Sequence, residues 1–485
     1  MKPSQVFTTA IAGTALVVLG ACSSEDLGTS ANTSASPAAS NNVLSSESLA
    51  QAMGSETPLG LGCGWIAASD PDKANIAFPD SEAKYWVAAA PVSPQTRLRI
   101  DGRYPDARYF SYNAYDAALR PTDAVADFEL APNDKGRAGN PFARKGAKPG
   151  GSYTAYLEYG ASPTQNPGTV RKPNTFYTGE IGLGPVNIPN ALAVFIYRVY
   201  VSNTGEFFDG GVGLPTLTLE TADGSRELGT LPNCVEPLMP NLGGTAPPLG
   251  LNELLLGLDY PNQLTLPFPT ATNPPNTLKF FSLGDTAFRI LGNVTGQDTS
   301  MVGGRIDSGS GGFLSNVHNA YTSTGFARQY GNIAMVRAKA PTYRGQPGVE
   351  FGQEQLRYWS LCGNEFATQR FTDCAADFQV PLDEQGFFTV VISDPADRPA
   401  NATAENGFLW LPWGPYPDQL LLYRHMLHNS TFEEAIQNVE KGNALGETMK
   451  DFAPVGIYCD SNVFTQSNRS GEVFALCEQD QNTNR

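Results

Sequence analysis

The sequence predicts a mainly β protein, built from two homologous antiparallel β-sandwich modules of jelly-roll type with few short helices. Short runs of alternating apolar and polar residues end in Pro-Gly, Asn-Gly, Asp-Gly and Pro-Asp turn signals. Two stretches about 250 residues apart resemble each other. Of the 485 residues, 49 are glycine and 37 proline, and only 16 % are charged. This composition suits many short strands and turns.

The N-terminal residues predict export and lipid anchoring. Lys2 precedes an uncharged, mostly apolar stretch, 6–20, that is too short to span a membrane and matches a secretory signal. It ends in Leu19-Gly20-Ala21-Cys22, which is similar to the lipobox of bacterial lipoproteins, where the cysteine is lipidated. Residues 1–22 are therefore interpreted as a lipoprotein signal peptide, with an ordinary signal peptide as the alternative. Ser23 favours the outer membrane if the cell is Gram-negative.

The rest of the chain divides by composition. Residues 23–57 are mainly Ser, Ala, Asn, Thr and Gly, which predicts a flexible tether. No later stretch reaches ~18 apolar residues, so the body is expected to be soluble. The predicted order is module 1 at 58–235, a connector rich in Pro, Gly and Leu at 236–275, module 2 with a C-terminal helix at 276–445, and a C-terminal clasp at 446–485.

An internal repeat supports the two modules. Arg108-Tyr109-Phe110-Ser111 recurs as Arg357-Tyr358-Trp359-Ser360. Further matches pair 122–128 with 372–378 and 88–91 with 338–341, and more loosely 153–157 with 388–392 and 194–198 with 420–424. If each motif forms a strand, the tyrosine at its second position and the Phe or Trp ring at its third position point to opposite faces of the sheet.

Two further elements are predicted in module 2. Residues 278–283 are expected to contain its first strand. Ser430-Thr431-Phe432-Glu433 has capping-box spacing, and Phe432, Ala435, Ile436 and Val439 would lie on one face of a helix. One helix packed on the second sandwich is therefore expected.

The cysteines predict three disulfides. The chain has seven, and removing Cys22 leaves six, an even number that suits an oxidising compartment. Locality and comparison of the modules favour the pairs Cys63 with Cys234, Cys362 with Cys374, and Cys459 with Cys477. Six cysteines nevertheless allow fifteen pairings.

Few residues are suited to catalysis. The chain contains three histidines and no G-x-S-x-G motif. A serine hydrolase would depend on Ser310 as nucleophile and His318 as base. His425 and His428 have i, i+3 spacing, but no third ligand is evident, so neither a metal nor a cofactor is predicted.

Repeated aspartates offer a second catalytic interpretation. The pairs Asp123/Asp127 and Asp373/Asp377 resemble the two carboxylates of a glycosidase. They occur in both modules beside Arg108 and Arg357, however, and duplicated charges more often fix a fold. A structural pairing of arginine with aspartate is therefore favoured.

One aromatic loop predicts binding. Trp410, Trp413 and Tyr416 lie in a proline-rich stretch that suits stacking on a sugar or docking a partner. The alternative is a loop that folds its rings onto its own sandwich.

These features carry a family resemblance. The Arg-Tyr-Trp-Ser motif, followed by Asn364-Glu365, Cys374 and the strand 390–393, resembles a family of functionally uncharacterised secreted bacterial lipoproteins. The resemblance implies the β-sandwich fold and an envelope location, and it transfers no catalytic residue.

The leading functional hypothesis is a non-catalytic lipoprotein of the cell envelope that binds a ligand or partner, such as a glycan or an envelope protein. Its membrane contact would be the lipid anchor alone. A net charge of -16 argues against nucleic-acid binding. The alternative is an extracytoplasmic hydrolase that uses Ser310 and His318 or the paired aspartates.

Overall fold

A computed structural model describes residues 63–69, 75, 78–116, 120–134, 139–183, 186–190, 192–203, 209–234, 271–280, 314–366 and 369–483. The predicted signal peptide with Cys22, the tether, most of the connector and Ser310 lie outside these residues. None of the helices in the described ranges is long and apolar enough to cross a membrane.

Module 1 is a sandwich of two five-stranded sheets and a separate hairpin. The sheet that faces the other module, called inner sheet 1, has the order β1-β2-β10-β4-β5. The sheet on the far side, called outer sheet 1, has the order β12-β11-β3-β6-β7, and β8 pairs with β9. The strands are β1 (Trp65–Ser69), β2 (Ala83–Pro91), β3 (Thr96–Arg103), β4 (Ala107–Tyr115), β5 (Pro121–Ala126), β6 (Ser152–Glu158), β7 (Thr175–Tyr177), β8 (Glu180–Leu183), β9 (Val186–Pro189), β10 (Leu192–Ser202), β11 (Thr216–Thr221) and β12 (Glu227–Leu231).

Module 2 is a second sandwich. The inner sheet 2 has the order β13-β14-β20-β16-β17, and the outer sheet 2 has the order β19-β18-β15-β21. The strands are β13 (Thr277–Phe280), β14 (Asn319–Ala327), β15 (Ile333–Lys339), β16 (Leu356–Asn364), β17 (Phe371–Ala376), β18 (Phe387–Ser393), β19 (Phe408–Pro412), β20 (Asp418–His428) and β21 (Val455–Cys459). The predicted β-sandwich class is confirmed, and β13 lies at the start of the predicted first strand.

The helices of the described residues are short. The α-helices are α1 (Leu445–Met449), α2 (Ser461–Phe464) and α3 (Ser470–Thr483). One-turn 3-10 helices span Asp127–Glu129, Arg328–Tyr330, Asp377–Gln379, Pro395–Asp397, Ala404–Asn406, Ile436–Asn438 and Lys450–Phe452.

The two inner sheets share one strand order. In the central strands, Arg198 of β10 lies opposite Ser111 and Arg424 of β20 lies opposite Ser360. The sequence match of 88–91 with 338–341 was wrong, because 88–91 ends β2, whose place in module 2 is taken by β14. A short match of alanines and a proline fits the end of many strands, so it does not specify which strands correspond.

The inner sheets are buried on both faces. Phe110 stacks on Tyr153 inside module 1, with 5.5 Å between ring centroids, and Trp359 stacks on Phe388 inside module 2 at 5.7 Å. The tyrosines that precede these rings point the other way, into an interface cluster between the modules. That cluster contains Ala83, Tyr85, Tyr109, Tyr115, Ala126, Ile196, Tyr200, Tyr358, Ala376 and Met426. The four sheets therefore stack as outer 1, inner 1, inner 2 and outer 2.

The helix predicted over residues 430–439 was wrong. The segment forms turns and a single 3-10 turn, Ile436–Asn438, although its apolar side chains are buried in module 2 as expected. The side chain of Asn429 accepts a hydrogen bond from the Thr431 N–H at 3.1 Å, and His425 Nδ1 accepts one from the Ile436 N–H at 3.2 Å. Such side-chain bonds compete with the helical ladder for backbone donors.

The predicted C-terminal clasp belongs to module 2. β21 pairs with β15 in the outer sheet 2, so the boundary predicted at residue 445 cuts through this module. The sequence did not show this because β21 has only five residues and follows two short helical turns.

All three predicted disulfides are confirmed. Cys63 bonds to Cys234 across a separation of 171 residues, and Cys459 bonds to Cys477 between β21 and α3. Cys362 and Cys374 are bonded and lie directly opposite each other on β16 and β17. Three disulfides indicate an oxidising extracytoplasmic environment.

Candidate functional site

The repeated arginines and aspartates meet at the interface between the modules. Arg108 Nη1 donates to Asp377 Oδ1 at 2.5 Å. Arg357 Nη1 donates to both carboxylate oxygens of Asp127 at 3.2 Å. The pairing is reciprocal, because the arginine of each module bonds the aspartate of the other.

Each of these aspartates is also bonded within its own module. Asp127 accepts a hydrogen bond from the Phe110 N–H at 3.0 Å, and Asp377 accepts one from the Trp359 N–H at 3.1 Å. Burial raises the pKa of Asp127, and Arg357 opposes that shift. Burial likewise raises the pKa of Asp377 to about 6, against the lowering effect of Arg108. These carboxylates hold strands and modules together.

The other repeated aspartates differ from each other. Asp123 accepts hydrogen bonds from both terminal nitrogens of Arg171, at 2.6 and 2.8 Å. Burial raises the pKa of Asp123, and Arg171 opposes the shift. Asp373 is exposed and accepts a hydrogen bond from the Cys374 N–H. The two modules therefore do not present equivalent carboxylate dyads.

A further buried carboxylate crosses the interface from the segment before β2. Asp80 accepts hydrogen bonds from Ser360 Oγ at 2.6 Å and Tyr358 Oη at 2.8 Å, and it forms an ion pair with Arg424. No sequence pattern marks Asp80, because it lies in a loop outside the repeated motifs. Placing it requires the relative position of the two modules.

Against module 1, the residue that corresponds to Asp80 is Asn316, whose side chain is an amide. Asn316 precedes β14 by three residues, as Asp80 precedes β2, and its Nδ2 donates to Tyr109 Oη at 3.0 Å. Arg198, which corresponds to Arg424, has no carboxylate partner among the described residues. Its Nη2 donates to Tyr115 Oη at 2.6 Å and to the backbone carbonyl of Leu314.

His318 lies at the same interface. Its Nδ1 is 2.9 Å from Tyr109 Oη, within hydrogen-bonding distance. Burial, followed by the charge of Arg357, lowers the pKa of His318 to about 4, so the ring is neutral at pH 7. Because Ser310 lies outside the described residues, its pairing with His318 stays a prediction.

The predicted aromatic platform was wrong. The side chains of Trp413 and Tyr416 are only 1 % and 2 % exposed. Trp410 is half-buried, donates to Ser393 Oγ at 3.0 Å and lies 4.5 Å from the guanidinium of Arg398. Only five residues connect β19 to β20, and this short loop turns its rings onto its own sandwich.

His425 and His428 lie on β20. A separation of three residues places side chains on opposite faces of a strand, so the two imidazoles do not converge. The metal geometry that this spacing would give on a helix does not arise.

No protein-family model matches the chain, and no curated protein matches it. Among solved structures, an uncharacterised protein of Burkholderia cenocepacia is 14 % identical, with a TM-score of 0.39 over 78 % of this chain and 83 % of the other. A structural-genomics target from Vibrio parahaemolyticus is 12 % identical, with a TM-score of 0.34 over 79 % of this chain and 90 % of the other. Likeness at these TM-scores carries no argument about function.

Proposed function

We propose that the protein is a lipid-anchored protein of the bacterial cell envelope that binds a partner without catalysis. It is exported through residues 1–22 and attached at Cys22. The observation that carries the non-catalytic role is the reciprocal pairing of Asp127 with Arg357 and of Asp377 with Arg108. Buried carboxylates that neutralise arginines and bond backbone N–H groups are poorly placed to act as acids or bases.

The two modules arose by duplication of one sandwich. The shared strand order of the inner sheets and the exchange of partners between the repeated arginines and aspartates support this origin. An interface with reciprocal contacts is typical of two like subunits related by a two-fold axis. The chain then resembles a homodimer joined into one polypeptide.

The binding surface is formed around Phe128 and Phe378. These rings follow the interface aspartates and are 41 % and 46 % exposed. The guanidinium of Arg357 lies 5.9 Å from the Phe128 ring, and that of Arg108 lies 5.4 Å from the Phe378 ring. Arg357 also donates to the backbone carbonyl of Arg108 at 3.3 Å, so the rings flank one pair of arginines. Aromatic and arginine side chains dominate binding hot spots.

The partner is an envelope protein or glycan. The mature protein in detergent micelles would be screened against a glycan array and envelope extracts, as wild type and as the Phe128→Ser/Phe378→Ser variant. Val455→Ser, which removes another side chain that is 47 % exposed, is the matched control. We expect binding to be lost only in the double variant. Equal binding by all three proteins, or a covalent serine-probe adduct at Ser310, would contradict the proposal.

Anchoring has its own test. Cells that express the protein would be labelled with a radioactive fatty acid. The wild-type protein is expected to carry the label and Cys22→Ser to lack it. Label retained in Cys22→Ser would overturn the predicted anchor and leave the binding proposal intact.

A further inference from the structure

Arg198 is a buried cation without a counter-charge in the described part of the protein. Its side chain is 6 % exposed. Its contacts are the Tyr115 hydroxyl, the Leu314 carbonyl and the face of the Tyr85 ring, 4.8 Å from the guanidinium. All of these are neutral groups. A buried ion with only neutral partners is costly, so buried charges are normally paired.

The matching arginine in module 2 has a carboxylate partner, which Arg198 lacks among the described residues. Arg424 also packs on a tyrosine ring, that of Tyr321 at 5.2 Å, and its charge is neutralised by Asp80. The Nε atoms of Arg198 and Arg424 both lack a hydrogen-bond acceptor among the described residues. Arg424 thus has a carboxylate partner, whereas the residue that corresponds to Asp80 in sequence position before its strand is Asn316, an amide.

The surroundings of Arg198 suit an anion. The hydroxyls of Tyr85 and Tyr200 lie 3.4 Å apart beside it. Because burial raises the pKa of Tyr85, this hydroxyl keeps its proton and remains a donor. The described side chains that contact Arg198 include no acid that would repel a negative charge.

We propose that the module interface binds one small monovalent anion, such as chloride or formate, against the guanidinium of Arg198. The anion takes the electrostatic role that Asp80 has beside Arg424. The small size follows from the short spacing of the neighbouring rings, with 6.2 Å between the ring centroids of Tyr85 and Tyr200. The single charge follows from the single arginine. Binding at this place would stabilise the association of the two modules.

The test is thermal unfolding of the mature full-length protein at constant ionic strength, with gluconate replaced stepwise by chloride or by formate. We expect the melting temperature of the wild type to rise saturably, by about 1–2 °C at ten times the dissociation constant. Asn316→Asp supplies a carboxylate and is expected to melt higher in gluconate and to respond to neither anion. Asn443→Asp, at an exposed site, controls for the added charge and should respond like the wild type.

Chloride binding can also be measured directly, in a way that does not depend on the stability of each variant. The chloride-35 NMR line is expected to broaden with the wild type and with Asn443→Asp, and to stay narrow with Asn316→Asp and Arg198→Gln. Equal broadening with wild type and Asn316→Asp, or no saturable response of the wild type to either anion, would overturn the proposal.

Discussion

Arg357 donates from Nη1 to both carboxylate oxygens of Asp127, at 3.2 Å, and so joins a strand of module 2 to a turn of module 1. The same relationship with the modules exchanged links Arg108 to Asp377. A charged motif that occurs twice in the chain is thus used once on each side of one interface. This geometry accounts for the presence of the arginine and the aspartate in both copies of the motif.

Loss of Asp127 is expected to destabilise the protein strongly. Asp127→Ala leaves Arg357 buried without its counter-charge and removes the acceptor of the Phe110 N–H. Breaking a buried pair in this way costs about 3–5 kcal/mol. Asp373→Ala, which removes an exposed aspartate of the same repeated motif, should change the free energy of unfolding by less than about 0.5 kcal/mol. Denaturant unfolding measures both, and equal losses would contradict the assignment.

Asp377 gives stability a specific pH dependence. Its pKa is about 6 in the folded protein against an ordinary 3.8, so the folded state binds the proton more tightly than the unfolded state between these values. The free energy of unfolding of the wild type, relative to Asp377→Asn, should therefore fall as pH rises from about 4 to 6, by up to about 3 kcal/mol. Above pH 6 the difference should level off. If the free energy of unfolding relative to Asp377→Asn rose between about pH 4 and 6, the raised pKa of Asp377 would be contradicted.

Trp413 is expected to contribute to stability. Its ring is buried in the core of module 2, so Trp413→Ala should cost about 3–5 kcal/mol. Trp410→Ala should cost less, because that ring is half-buried at the edge strand β19. Chemical unfolding of the two variants gives the comparison. Unchanged stability of Trp413→Ala together with loss of ligand binding would restore the aromatic-platform interpretation.

Removal of a disulfide should lower the free energy of unfolding by an amount that increases with the length of the loop that it closes. Replacing Cys63 and Cys234 by serine opens a loop of 171 residues, and replacing Cys362 and Cys374 opens one of 12. The loop-entropy model gives losses of about 5 and about 3 kcal/mol. Unfolding of the two double variants tests the order, and a larger loss for the Cys362/Cys374 variant would contradict it.

The sequence was sufficient for the features that local patterns encode. Strand alternation predicted the opposite faces of Tyr358 and Trp359. Comparison of the two modules predicted the bond between Cys362 and Cys374. The sequence left two possibilities for Trp413, exposed or folded onto its own sandwich, and could not choose between them, because the choice depends on how a five-residue loop packs on its own sheet. Asp80 was missed for a related reason, since its partners Tyr358, Ser360 and Arg424 lie at least 278 residues away on the other module.

The partner of each interface arginine was also beyond sequence reasoning. Arg108 has Asp127 in its own module and Asp377 in the other, and both occupy the same position of a repeated motif. Only the face-to-face packing of the inner sheets selects the second partner.

That choice of partner is tested most directly by double-mutant cycles measured by denaturant unfolding. The reciprocal arrangement predicts coupling of about 1–3 kcal/mol for Arg108 with Asp377 and for Arg357 with Asp127. The cycles within each module, Arg108 with Asp127 and Arg357 with Asp377, are predicted to give less than about 0.5 kcal/mol. Strong coupling within modules and none between them would contradict the account.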